Sequence, residues 1–103
     1  MDQVKAPWDA VALVCRKCGK KLGGGFGKKG RQDLSKVLRA SLKASGRRRS
    51  MHLVPVECLG LCPKDAVSVV GPGAPGHIVV VPAGADAERV IEALSPTPSG
   101  LGG

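Results

Sequence analysis

The chain has 103 residues, enough for one small domain. With one Phe, one Trp and no Tyr, its core must be built from aliphatic side chains, and a domain this small gains from a metal or disulfide staple. The net charge of +8 comes from basic residues concentrated between Lys5 and Lys64, which favours an anionic partner or an anionic cluster within the fold. No apolar stretch approaches eighteen residues, so the sequence predicts no membrane span.

Hydrophobic periodicity predicts four strands and two helices. Three- and four-residue steps between Leu34, Val37, Leu38 and Leu42 indicate a helix with one apolar stripe. In chain order the predicted elements are a strand at 10–14, a helix at 31–44, strands at 51–56, 66–70 and 77–81, and a helix at 86–94.

This order predicts an α/β fold with β-α-β-β-β-α elements and a sheet flanked by helices, which is compatible with a thioredoxin-like sheet; periodicity alone does not fix the strand order. We expect residues 1–9 to form an N-terminal arm, residues 10–94 the domain, and residues 95–103 a flexible tail rich in Ser, Pro and Gly. The segment Gly19–Gly30 holds six glycines and four lysines and predicts a flexible basic loop, with Phe26 covering the nearby cysteines. It lacks the spacing of a phosphate-binding loop.

The four cysteines form two close pairs. Cys15 and Cys18 follow the first predicted strand, and Cys58 and Cys62 follow the second, in E-C-L-G-L-C-P. The carboxyl ends of parallel strands meet at one edge of a sheet, so we expect the pairs to meet there. Thiolates bind zinc, copper(I) or iron–sulfur clusters. The sequence therefore predicts one four-cysteine metal centre, which the residue types alone leave open between zinc and a 2Fe–2S cluster.

The motifs V-C-R-K-C-G and V-E-C-L-G-L-C-P-K-D-A-V-S-V-V resemble the thioredoxin-like 2Fe–2S ferredoxin family, to which the peripheral 2Fe–2S subunit of respiratory complex I also belongs. The resemblance covers residues 11–94. It implies that Cys15, Cys18, Cys58 and Cys62 bind a 2Fe–2S cluster, and that the protein is a one-electron carrier or the redox subunit of a larger oxidoreductase, rather than a catalyst by itself. Only two residues separate the first pair, whereas many family members have four or more there.

Other interpretations of the cysteines stay open at this stage. Cys15 and Cys18 alone would suit a thioredoxin-type dithiol, although glycines and lysines follow them where such a motif normally begins a helix. Cys58 and Cys62 would then be unrelated thiols. His52 and His77 lie too far along the chain from any cysteine to suggest Rieske-type ligation, so we expect both on the surface.

The basic residues suggest partners. We expect a redox protein with an acidic docking face, in the cytoplasm, where cysteines remain reduced. Arg47, Arg48 and Arg49 form the best candidate patch for nucleic acid, which a zinc-stabilised module would use. The scarcity of aromatic side chains argues against nucleic acid, and the eight scattered acids suggest no hydrolytic site. Members of the family that the chain resembles are often dimers, so the resemblance is also compatible with a homodimer.

Overall fold

The structure, a computed structural model, describes residues 1–95, so all but the first residue of the predicted tail at 95–103 lies outside it. It is a small α/β fold with a four-stranded mixed sheet and three α-helices. In chain order the elements are β1 (Val11–Cys15), α1 (Arg16–Leu22), a 3-10 turn (Lys28–Gly30), α2 (Leu34–Ala44), β2 (His52–Val56), β3 (Ala66–Val70), β4 (Val79–Pro82) and α3 (Ala87–Leu94).

The strands lie in the order β2-β1-β3-β4. β1 and β2 are parallel along their whole length, from Val11 opposite His52 to Cys15 opposite Val56. β3 runs antiparallel to both β1 and β4. The four predicted strands and the parallel β-α-β unit are thus confirmed, and the parallel pairing brings the residues after β1 and after β2 to the same edge.

The core is aliphatic, as the composition predicts. α2 buries Leu34, Leu38 and Leu42, and α3, whose Val90, Ile91 and Leu94 are buried, packs against it. The strands contribute Ala12, Val14, Leu53, Val67, Val69 and Val81. The two predicted helices therefore bury the faces that their periodicity indicated. No helix in residues 1–95 has the length and hydropathy that crossing a bilayer requires.

A third helix contradicts the prediction of a loop after the first cysteines. α1 begins at Arg16, directly after the last residue of β1, and contains Cys18 and Gly19. It ends at Gly23, whose φ of 63° is the left-handed conformation that glycine adopts without strain. Lys20 and Lys21 lie in its last turn, where cations interact favourably with the helix dipole. Gly19 within the helix costs about 0.5–1 kcal/mol relative to alanine, so α1 depends on packing of its buried residue Cys18 rather than on local helix propensity.

The glycine-rich segment after α1 is tied to the fold. The Phe26 and Gln32 backbones exchange two hydrogen bonds, of 3.1 and 2.8 Å, and the Gly84 N–H donates to the Gly25 carbonyl at 2.9 Å. The Phe26 side chain is fully buried, in the same apolar cluster as Cys15 and Cys18. Phe26 is therefore a core residue on a segment that is hydrogen-bonded to the rest of the fold, so the prediction of a flexible loop was wrong here. Its position in the cluster that contains Cys15 and Cys18 agrees with the prediction that it covers these cysteines.

Candidate metal centre

The two cysteine pairs occupy different environments. Cys15 ends β1 and Cys18 lies in the first turn of α1; both are buried, with 1% and 2% of their surface exposed. Cys58 and Cys62 lie in the loop between β2 and β3, and both are exposed. All four are free thiols. We call Cys15 and Cys18, which lie on regular elements, the inner pair, and Cys58 and Cys62, which lie on a loop, the outer pair.

The main chain of the outer pair lies directly against the sulfurs of the inner pair. The Cys15 thiol donates to the Glu57 carbonyl, and the Cys18 thiol donates to the Leu61 carbonyl, with sulfur–oxygen distances of 3.8 Å in both cases. Glu57 and Leu61 are the residues immediately before Cys58 and Cys62. At a 3.8 Å contact, standard bond lengths place the outer cysteine Cα atoms within about 8 Å of the inner sulfurs.

The four sulfurs nevertheless do not converge. Among residues 1–95 no three Cys, His, Asp or Glu side chains are grouped as metal ligands would be. The expectation that all four sulfurs meet is therefore not met, although their two chain segments do. The donor set fits a soft metal centre, since four thiols lie on two touching segments, and binding would require the exposed Cys58 and Cys62 side chains to turn inward.

Gly60 shapes the outer loop. Its φ is 87°, a left-handed conformation that favours glycine, and its N–H donates to the Cys58 sulfur at 3.3 Å. A glycine beside a cysteine lets a backbone N–H approach and point at the sulfur. Such hydrogen bonds stabilise a thiolate, either free or bound to a metal.

The inner thiols differ in acidity. Burial raises the pKa of Cys15, but hydrogen bonds from Cys18 and from the backbone N–H groups of Leu59 and Lys17 outweigh it, so its pKa lies below the ordinary value. Burial also raises the pKa of Cys18. Hydrogen bonds from Ser68 partly oppose this, but the hydrogen bond to Cys15 and the charge on that sulfur raise it further, leaving the pKa above normal.

Ser68 joins the outer loop to the sheet, a role that sequence reasoning missed. Its hydroxyl donates to the Leu61 carbonyl at 2.8 Å, the same carbonyl that the Cys18 thiol contacts. Ser68 is fully buried in β3, and no buried side-chain N or O atom in the described part of the chain lacks a hydrogen-bond partner. A single Ser within A-V-S-V-V was the available signal, since a polar side chain in a buried strand needs a partner.

Positive charge surrounds the site. Arg16 forms an exposed salt bridge with Glu57 at 3.1 Å, which contributes little to stability but joins α1 to the outer loop. A surface cleft of about 350 Å³ is lined by Cys18 and Cys62 together with two lysines, Lys21 and Lys64, and one carboxylate, Asp65. These cations would attract an anionic centre or an acidic partner.

The histidines lie where the sequence predicted. His52 and His77 are exposed; His52 stacks on Trp8, and the His77 ring is hydrogen-bonded to the Pro75 carbonyl. In the described part of the chain neither contributes to a metal-binding group. A search of protein-family models, curated proteins and solved structures finds no match for this chain.

Proposed function

We propose that this chain is a small electron-transfer protein that binds one 2Fe–2S cluster through Cys15, Cys18, Cys58 and Cys62. One observation carries the proposal: each inner sulfur contacts the carbonyl of the residue that precedes an outer cysteine, at 3.8 Å. The two pairs follow adjacent parallel strands, and these contacts keep them close enough to bind one centre. A parallel β-α-β unit followed by an antiparallel hairpin also agrees with a thioredoxin-like fold.

The residues of the chain supply ligation, insulation and charge. When bound, a 2Fe–2S cluster accepts and returns one electron. Cys15 and Cys18 would hold it from the protein side, where the core excludes water. Cys58 and Cys62 would hold it from the exposed side, where a partner can approach. Gly60 donates a hydrogen bond to sulfur, and such bonds raise a cluster's reduction potential.

The surrounding cations would act in two ways. Arg16, Lys17, Lys21 and Lys64 favour the more negative reduced state and steer an acidic redox partner to the exposed side. The protein would then be a carrier rather than a catalyst. We place it in the cytoplasm, where thiols remain reduced until they bind metal.

Paired cysteine variants test the proposal. A four-thiolate cluster requires both pairs, so Cys58→Ser/Cys62→Ser and Cys15→Ser/Cys18→Ser should each abolish bound iron and sulfide. Circular dichroism of each variant checks that the fold survives. If the outer-pair variant keeps its full iron content, the cluster is not held by these four residues and the proposal is wrong.

A thioredoxin-type dithiol is the second candidate, favoured by one observation. Cys15 lies at the N-terminal end of α1 with Cys18 in the first turn, so the helix whose absence argued against this function is present. Against it, the Cys15 sulfur is buried beneath the outer loop, whereas a nucleophilic thiol must reach a partner disulfide. Disulfide reductase activity that survives Cys58→Ser/Cys62→Ser but is lost in Cys15→Ser would establish this second function.

Charge reversal beside the centre gives an independent test. Arg16→Glu/Lys17→Glu should lower the reduction potential by several tens of millivolts, because it replaces nearby positive charges with negative ones. Arg48→Glu/Arg49→Glu makes the same charge change before β2, at the opposite end of that strand from Cys58, and should shift the potential much less. Equal shifts in protein-film voltammetry would show that net charge, rather than a centre near Arg16, sets the potential.

A further inference from the structure

The only tryptophan of the chain forms part of a stacked pair on the surface. The Trp8 and His52 ring centroids lie 4.1 Å apart with an angle of 12° between the ring planes. Two backbone hydrogen bonds fix the arm that carries Trp8: Asp9 N–H donates to the Arg49 carbonyl at 2.8 Å, and His52 N–H donates to the Ala10 carbonyl at 2.7 Å. Trp8 is half-buried and His52 is exposed.

Positive charge adjoins this ring pair. Arg48 and Arg49 are exposed and line, together with Pro7, Trp8 and His52, a surface hollow of about 410 Å³. Lys43 lines a neighbouring hollow that also reaches Arg48 and His52. Lys5 lines a third hollow together with Arg49 and Asp9. Of the described residues, Asp9 is the only carboxylate that lines any of these three hollows. Within residues 1–95 the single salt bridge is elsewhere, between Arg16 and Glu57, so these cations are available to a partner.

The surface is separate from the cysteines. His52 begins β2 and pairs with Val11, whereas the cysteine pairs follow the opposite ends of β1 and β2. Four residue steps along β2 separate His52 from Val56, or about 13 Å of extended chain. A partner at Trp8 therefore need not contact the metal centre.

The edge strand beside the ring pair is poorly suited to accept a peptide strand. β2 lies at the edge of the sheet, but Pro55 has no N–H to donate. The Leu53 carbonyl already accepts a hydrogen bond from the Arg39 guanidinium at 3.0 Å. Recognition here depends instead on flat rings and guanidinium groups.

We propose that the surface formed by Trp8, Arg48, Arg49 and His52 binds single-stranded nucleic acid. A base would stack on the ring pair while the two arginines hold the adjoining phosphates, which is the chemistry that single strands require. The scarcity of aromatic residues argued against nucleic acid in the sequence. The fold changes that argument, because it places the one tryptophan beside a histidine and two arginines.

Trp8 itself provides the assay. The full chain is titrated with 12-nucleotide single strands of DNA and of RNA with the same mixed sequence, following oligonucleotide anisotropy and tryptophan fluorescence together. Because the chain has a single Trp, quenching reports stacking at this site. If the two arginines and the adjoining Lys43 contact phosphates, the logarithm of the binding constant should fall with the logarithm of salt concentration with a slope of about −2.

Matched variants separate a specific surface from general charge. Arg48→Glu/Arg49→Glu should weaken oligonucleotide binding at least tenfold. Lys28→Glu/Lys29→Glu makes an equal charge change on the 3-10 turn and should weaken the binding no more than threefold. Trp8→Leu keeps an apolar side chain and should weaken binding at least fivefold.

Two results would overturn the proposal. Equal losses in the two charge variants, with unchanged tryptophan fluorescence, would show that oligonucleotides bind by net charge alone. A polyglutamate peptide that binds at Arg48 and Arg49, while neither oligonucleotide quenches Trp8, would assign the surface to an acidic protein.

Discussion

Replacing Ser68 with alanine should loosen the outer cysteine loop from the sheet. The Ser68 hydroxyl is fully buried and donates to the Leu61 carbonyl at 2.8 Å. Alanine removes that donor and leaves the carbonyl with only the weak Cys18 thiol donor at 3.8 Å. Losing a buried hydrogen bond of this kind costs about 1–2 kcal/mol. For a domain of this size, that free energy lowers the melting temperature by about 5–15 °C.

The effect should also appear at Cys18, which the same carbonyl covers. Urea unfolding measures the stability change. The accessibility of Cys18 is measured by iodoacetamide labelling of the metal-free protein, with peptide mass mapping to separate Cys18 from the exposed Cys58 and Cys62, which also react. Ser50→Ala is the matched control, because the Ser50 hydroxyl donates to the Arg47 carbonyl in an exposed loop. The reasoning is refuted if the Ser68 variant matches the Ser50 variant in both stability and labelling rate.

Two further predictions concern the scaffold, each checked by urea unfolding. Gly24→Ala should lower the free energy of unfolding by about 3 kcal/mol or more, because an added Cβ would lie 2.3 Å from the Arg31 carbonyl oxygen, at a position with a φ of 101°. Gly30→Ala is the control: Gly30 also has a positive φ but faces open space, so the loss should be only about 1–2 kcal/mol. Equal losses in the two variants would refute the clash at Gly24. Leu38→Ala should lower the free energy of unfolding by about 2–5 kcal/mol, because the Leu38 side chain is fully buried. Val80→Ala, on the exposed face of β4, is the control and should lower it by less than about 1 kcal/mol. Similar losses in the two variants would mean that α2 does not pack as described.

The sequence predicted the fold where hydrophobic periodicity was strong. The helix stripe at Leu34, Leu38 and Leu42 and the apolar runs of the four strands correspond to observed elements, with boundaries shifted by a few residues. The helix α1 was missed because its residues, R-K-C-G-K-K-L, contain a glycine and too few apolar positions to form a stripe. Its position depends on the preceding strand and on Gly23, which local composition does not reveal.

The site was predicted in part, for a physical reason. Strand parallelism was enough to predict that the segments after β1 and β2 meet at one edge. The sequence did not predict which way the side chains of the outer cysteines point. These cysteines lie on an irregular loop, whose conformation depends on contacts such as the hydrogen bond from Ser68 to Leu61. Likewise, no local pattern links Trp8 to His52; their stacking follows from the backbone pairing of the arm with residues 49–52.

The most direct test of the central claim is a visible absorption spectrum of the anaerobically purified protein, with iron, sulfide and zinc assayed on the same sample. A 2Fe–2S centre predicts a red-brown protein with broad visible bands and two irons and two sulfides per chain. A colourless protein with one zinc per chain would contradict electron transfer and make the four cysteines a structural site. A protein without metal would contradict both and leave the Cys15–Cys18 dithiol as the function to pursue.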